Sequence, residues 1–243
     1  MNYSVIIVEK KGAAVWITLN RPHHKNAFNI QTFRELSTIL DDIEKDPEIV
    51  AVVIKGAGDS FCSGMDLKEF PTDPQGRQEL ELLADRTFER IEHLAKVVIA
   101  VIHGYTMAGG FELAQLCDVI IADEACKVGD GHKGHSIPTV GGTQRLPRLI
   151  GARKAKEILF TGDLISGKEA ERIGIVNRAV PADRLERTVE EFIAKIVKKP
   201  LETLAIMKRL VNYSQEANLV TGLQVERNTV RPYLARFRNS YEL

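Results

Sequence analysis

The sequence predicts an α/β fold built on a parallel sheet. Residues 50–54, 97–102 and 119–122 are short, almost wholly apolar runs rich in Val and Ile, as strands covered on both faces require. Longer stretches with apolar residues at helical spacing separate them. Strands and helices therefore alternate as βαβ units with right-handed crossovers.

Residues 5–8 and 15–19 flank Lys10-Lys11-Gly12 and read as a hairpin, which Arg21-Pro22 stops because proline cannot continue a ladder. Asn29 is an N-cap for a helix carrying Phe33, Leu36, Ile39, Leu40 and Ile43 on one face, ended by Asp46-Pro47. The strand at 50–54 follows, then a glycine-bounded loop from Gly56 to Gly64, a polar stretch at 71–77 and a helix over 79–94. After the strand at 97–102 come His103-Gly104, the pair Gly109-Gly110, a helix over 111–116 and the strand at 119–122. Beyond Gly141-Gly142 the pattern is helical, over 145–150, 153–160 and 167–173, the last opening on a capping box, Ser166-x-x-Glu169. Pro181 and Pro200 punctuate two longer amphipathic helices, and residues 215–237 form a last helical segment. The organisation is an α/β core over 1–180 and a helical region over 181–243.

A chain of 243 residues with 44% apolar residues can bury a sizeable core. Lys+Arg and Asp+Glu are both 33, so the net charge is zero and the counterion-release term that drives nucleic-acid binding has no charge excess to draw on. No apolar run spans a membrane, and the first residues lack a basic start and an apolar stretch, so neither a membrane nor a secretory route is expected. Cys62, Cys117 and Cys126 form no CxxC pair, which fits a reducing, cytoplasmic compartment.

Two glycine-containing turns follow buried strands: Phe61-Cys62-Ser63-Gly64-Met65-Asp66-Leu67-Lys68-Glu69, and residues 103–113 with Gly104, Gly109, Gly110 and Glu112. In open α/β sheets ligands collect beyond the carboxyl ends of strands, where both turns must lie. Two backbone N–H groups converging from different turns would form an oxyanion hole for a carbonyl gaining negative charge. Glu112, in a first helical turn, suits an acid/base role and equally suits the helix dipole.

These segments resemble the enoyl-CoA hydratase/isomerase (crotonase) superfamily over almost the whole chain. Leu19-Asn20-Arg21-Pro22 with Asn26-Ala27-Phe28 is similar to its opening signature, and residues 61–68 to its F-x-[SA]-G-x-D-[LI]-K element. Gly104-Tyr105 through Gly109-Gly110-Phe111-Glu112-Leu113-Ala114, with Cys117-Asp118, is similar to its central run. Ile137-Pro138 with residues 141–147, and Thr161-Gly162 through Gly174-Ile175-Val176, continue the likeness. The resemblance implies a ClpP/crotonase-type spiral of ββα units with a helical C-terminal trimerisation region, assembled as a homotrimer or homohexamer. It also implies an acyl-CoA thioester substrate, with coenzyme A as part of that substrate and no tightly bound cofactor. The Met65 and Gly109 amides would hold the thioester oxygen and stabilise an enolate. Residues Lys25, Asn26, Ala27, Ser63, Gly64, Asp66, Leu67 and Lys68 would lie along the CoA moiety. Lys68 suits a CoA phosphate and equally suits a solvated lysine; Asp66 suits the cap of a short helix after the loop.

Hydratases of this family use two glutamates. The first corresponds to Glu112; the second falls on Gly131, or on His132 if one deletion follows Gly129. Adding water across a double bond needs one group to activate water and another to deliver a proton. His132 and His135 are the candidates for the second role, or are polar loop residues. His132-x-x-His135 has metal-ligand spacing, but no third ligand is marked and no metal is expected. Hydration of a 2-enoyl-CoA is the leading reading. Double-bond isomerisation, decarboxylation, hydrolysis of a cyclic β-ketoacyl-CoA, and a CoA-binding scaffold without catalysis are the alternatives.

Overall fold

The computed structural model describes residues 3–132 and 139–237. Six strands form the main sheet in the order β1-β2-β3-β4-β6-β9. β1 (Ile6–Lys11) and β2 (Ala14–Leu19) make the expected antiparallel hairpin. β2, β3 (Ala51–Gly56), β4 (Val97–Ile102), β6 (Val119–Asp123) and β9 (Arg178–Val180) run parallel.

Every residue of β2 is buried, so the Val15-Ile17-Leu19 alternation sorts residues between two cores. Val15, Ile17, Leu19, Val52 and Ile54 share one core with Phe33, Leu36 and Leu40 of α1 (Ile30–Lys45). Ala14, Trp16, Val53, Ile99 and Ile121 form the other with Val189 of α7 (Leu185–Ile196). Helix α7 therefore completes the cover of the sheet, and position 181 marks a change of element type inside a continuous core. Phe33 and Leu36 are fully buried, each contributing roughly 1.5–3 kcal/mol.

Asn29 caps α1 as expected, with a reciprocal box to Thr32. Helix α2 (Pro74–His93) starts five residues earlier than residue 79, because Asp73 accepts from the Gly76 amide and Pro74 supplies a preset φ at the first position. The box at Ser166 forms only in half. Its hydroxyl accepts from the Glu169 amide to start α6 (Gly167–Arg172), while the Glu169 carboxylate turns to Arg172.

A small second sheet, β5 (Tyr105–Met107), β7 (Lys127–Gly129) and β8 (Ile165–Ser166), has no counterpart in the sequence reading. Strands of two or three residues are too short to show a period, and the same holds for β9. This small sheet positions the site. Cys62 bridges to Thr106 and Phe28 bridges to Met65, so the turn at 61–66 is laced onto β5. Helix α3 (Gly109–Leu116) leaves β5 through Ala108.

Helices α4 (Gly142–Ile150), α5 (Ala152–Thr161) and α6 follow the expected order, and α8 (Leu201–Ser214) and α9 (Leu219–Phe237) close the described chain. Lys208 of α8 reaches Asp118 at the end of α3 at 2.8 Å, and Asp118 also accepts from the Val98 amide. That pair ties the C-terminal helices to the element that carries Glu112. Among the described residues no helix is long and apolar enough to cross a membrane.

Candidate active site

The two turns singled out in the sequence lie against each other. A Cβ placed on Gly64 would stand 2.7 Å from the Ala108 Cβ and 3.0 Å from the Gly109 nitrogen, and one on Gly109 would stand 3.4 Å from the Gly64 Cα. Gly64 has φ +97°, a conformation that favours glycine, so both backbone shape and closeness require the missing side chain. Gly110 packs just as tightly, since a Cβ there would lie 2.2 Å from the Cys62 carbonyl.

Among the amides that the hydrogen bonding around the turns leaves over is one from each turn. The Gly64 carbonyl accepts from the Phe28 amide, and the Asp66 amide donates to the Phe28 carbonyl, each at 2.8 Å. The Met65 amide between them donates to no acceptor among the described residues, and the same is true of the Gly109 amide, the first of α3. An orphan amide at a helix N-terminus carries the positive end of the helix dipole.

Ala108, the residue before Gly109, has φ +49° and ψ −129°, backbone strain of order 1–3 kcal/mol for a residue with a Cβ. Its amide donates to the Asp130 carbonyl and its carbonyl accepts from the Glu112 amide, both at 2.9 Å. The strained residue is thereby fixed from two sides, which aims the Gly109 N–H.

Glu112 stands in the first turn of α3. Its Oε1 accepts from the Thr139 hydroxyl at 2.6 Å and from the Val140 amide at 2.7 Å. Oε2 has no partner among the described residues. Burial pushes the Glu112 carboxyl above its ordinary range and the nearby Asp130 charge adds to that, while the Thr139 and Val140 bonds and the His132 charge pull it back. The result is a carboxylate more basic than usual, fixed by one oxygen and open at the other.

His132 lies beside Asp130, with Nδ1 3.0 Å from Oδ2. Both residues are close enough to Glu112 for their charges to act on it. His135 lies outside the described residues. The second-glutamate position that the resemblance puts at Gly131 or at His132 thus has the buried Asp130 next to it.

The expected CoA-side residues divide into two sets. Lys68 and Leu67 are exposed, and the Lys68 ammonium pairs with no carboxylate among the described residues. Lys25 is also exposed, with Nζ 3.1 Å from Asp59 and 5.1 Å from the Tyr105 ring centroid. Ser63 is half-buried, its amide bound to the Lys25 carbonyl at 3.1 Å. Ala27 and Asn26 are buried, and the Asn26 side chain is used inside the protein: it accepts from the Arg21 amide and donates to the Ala57 and Ser60 carbonyls. Asp66 caps no helix. The chain turns instead, with Asp66 Oδ1 accepting from the Lys68 amide at 3.1 Å and Oδ2 3.0 Å from Arg21 Nη1.

Arg21, Thr139 and Asp130 were not singled out from the sequence. Arg21, read there as the end of a strand and as part of the opening signature, bonds Asp66, Glu69 and the Ala27 carbonyl and so braces the 61–69 turn. His24, Asp66 and Glu69 bring ligand atoms within 4.8 Å of one another, but the Arg21 guanidinium already supplies the cation for both carboxylates.

Residues 9–239 match the family model described as enoyl-CoA hydratase/isomerase. The chain belongs to that family. Its curated relatives include the short-chain-enoyl-CoA hydratase of Clostridium acetobutylicum, 37% identical over 230 residues that cover 93% of this chain and 88% of the relative. The crotonyl-CoA hydratase of Syntrophomonas wolfei is 34% identical with the same coverage, 93% and 88%. Among solved structures, the enoyl-CoA hydratase of Bacillus anthracis superposes with a TM-score of 0.90 at 35% identity, over 94% of this chain and 90% of that one. The mixed α/β architecture with C-terminal helices is therefore the crotonase fold.

Proposed function

We propose that this protein binds a 2-enoyl-CoA and adds water across its double bond. The observation that carries the reading is the pairing of two unused amides, Met65 and Gly109, from turns in van der Waals contact, with a basic carboxylate one helical turn beyond the second. The thioester oxygen takes the two amides and accumulates charge as the enolate forms. Glu112, through Oε2, takes a proton from water as the water oxygen bonds to C3 of the acyl chain. His132 gives a proton to C2 as the enolate collapses. Proton return from Glu112 to His132 restores the site, and the net reaction is enoyl-CoA plus water to 3-hydroxyacyl-CoA. Lys25 and Lys68, on the exposed rim, suit the phosphates of CoA.

Crotonyl-CoA tests this. Mixed with the protein, it should lose the absorbance of its conjugated enoyl group and yield 3-hydroxybutyryl-CoA. Absorbance gained from a 3-enoyl-CoA, without hydration, would instead assign isomerisation, which one shuttling carboxylate can perform. Thermal stabilisation by acyl-CoA with no product at all would leave a binding protein.

We also propose a homotrimer or homohexamer working in a reducing, cytoplasmic compartment. Met207, Val211, Leu219, Val220 and Leu234 of α8 and α9 are exposed, and a groove of about 820 Å³ opens between these helices and the end of α2. A second copy would cover such a surface. The three cysteines are free thiols, as a reducing compartment keeps them. Light scattering should give the mass of three or six chains; a monomer at micromolar concentration would overturn the assembly.

A further inference from the structure

The loop after β7 contains a carboxylate that the reaction above does not use. Asp130 is 4% exposed, and its Oδ1 is buried without a hydrogen-bond partner. Among the described residues no Lys or Arg lies within ion-pair distance of it. A buried carboxylate in that state is costly unless a cation stands beside it. The group that does so is the His132 imidazole, with Nδ1 3.0 Å from Asp130 Oδ2 and the side chain one-fifth exposed at 20%.

The backbone holds this pairing in place. Gly129 and Gly131 on either side of Asp130 have φ +158° and +69°. A Cβ on Gly131 would collide with Met107 at 2.7 Å, so the turn that brings His132 back over Asp130 needs glycine. The His132 amide also points at Asp130 Oδ2, at 3.4 Å. The Asp130 carbonyl meanwhile receives the Ala108 amide, one residue before the Gly109 donor. One short loop thus joins the amide donor, Glu112 and His132 through a single aspartate.

We propose that Asp130 is a positioning residue that orients the His132 ring by Nδ1, so that an Asp130–His132 pair stands where hydratases of the family carry a second glutamate. The contact between Nδ1 and Oδ2 has ion-pair distance without hydrogen-bond alignment, since Nδ1 has no bond of good geometry. A small rotation of the ring on substrate binding aligns it, as catalytic contacts commonly do. Nε2 is then the nitrogen free to take a proton from Glu112 and to deliver it, while Nδ1–H is held by Asp130. The charged groups set against His132 among the described residues are Asp130 from its own loop and Glu112 from α3.

The proposal rests on the hydration reading for its kinetic half and stands apart from it for its structural half. Asp130→Asn keeps the side-chain volume and the backbone bond to Ala108 while removing the charge. Crotonyl-CoA hydration should lose about 10- to 100-fold in kcat with KM within about twofold, because the substrate is bound by other groups. The double variant Asp130→Asn with His132→Ala should be no slower than His132→Ala alone, since the aspartate acts through the ring. Nitrogen NMR of the His132 ring should show Nδ1–H held in a hydrogen bond in the wild type and released in Asp130→Asn, whether or not the wild type turns over crotonyl-CoA. An inactive wild type with that difference would sink the hydration reading and keep the pair. Ring signals unchanged by Asp130→Asn would overturn the pair. Loss in Asp130→Asn with full activity in His132→Ala would overturn it too, by making the aspartate the reacting group.

Discussion

Glu112→Gln is expected to lower kcat for crotonyl-CoA hydration by about 10³-fold, within the range for removal of a positioned acid/base, while KM stays within a few-fold. Glutamine keeps the oxygen that accepts from Thr139 and Val140, so the α3 turn and the loop at 139–140 should keep their places. Stability should move the other way. Burial is the largest influence on the Glu112 carboxyl and raises its folded-state pKa. A raised carboxyl stabilises the fold most below the ordinary glutamate value, and that contribution is lost as pH rises through the raised value. At neutral pH the ionised side chain is therefore a net cost, and the glutamine variant should melt at a higher temperature than the wild type. The wild-type rate should accordingly fall on acidification with a midpoint above the ordinary glutamate range. Thermal melts beside the kinetics separate lost chemistry from lost fold; an active Glu112→Gln protein would remove Glu112 from the mechanism.

Gly64→Ala should cost about 10²-fold or more in kcat and about 1–3 kcal/mol in stability. The new methyl would have to share space with the Ala108 Cβ at 2.7 Å and the Gly109 nitrogen at 3.0 Å, in a backbone conformation that disfavours any Cβ. Relief comes only by parting the turns, which separates the two amides that are to share one oxygen. The loss should fall on kcat more than on KM, because the charge on that oxygen is largest in the transition state. Denaturant melts with kcat and KM on the same preparation would check it; an alanine variant with wild-type kcat would show that the turns do not act together.

How much of this could be read from residues alone follows from what each element depends on. The strand at 97–102 and the cap at Asn29 were legible because local chemistry decides them: a wholly apolar β-branched run, and a side-chain acceptor ahead of an amphipathic face. The small sheet was not, since β7 and β8 owe their existence to partners far along the chain. Met65, Gly109 and Glu112 were candidates from the glycine-containing turns and the family likeness. Thr139 and Asp130 could not be found in this way, because neither the Thr139 bond to Glu112 nor the approach of a buried Asp130 to His132 has a sequence signature. A carboxylate between two glycines, at Gly129-Asp130-Gly131, was the available hint. The helix expected after Asp66 failed for a related reason: the aspartate is spent on Arg21 and on a turn.

The account depends on Met65 N–H and Gly109 N–H sharing one thioester oxygen and holding its charge. Acetoacetyl-CoA reads this without any turnover, because its enolate has its own ultraviolet absorbance. Adding the protein should raise that absorbance in proportion to bound ligand at neutral pH, Glu112→Gln should preserve the rise, and Gly64→Ala should abolish it. Saturable binding of acetoacetyl-CoA to the wild type with no enolate signal would contradict the account.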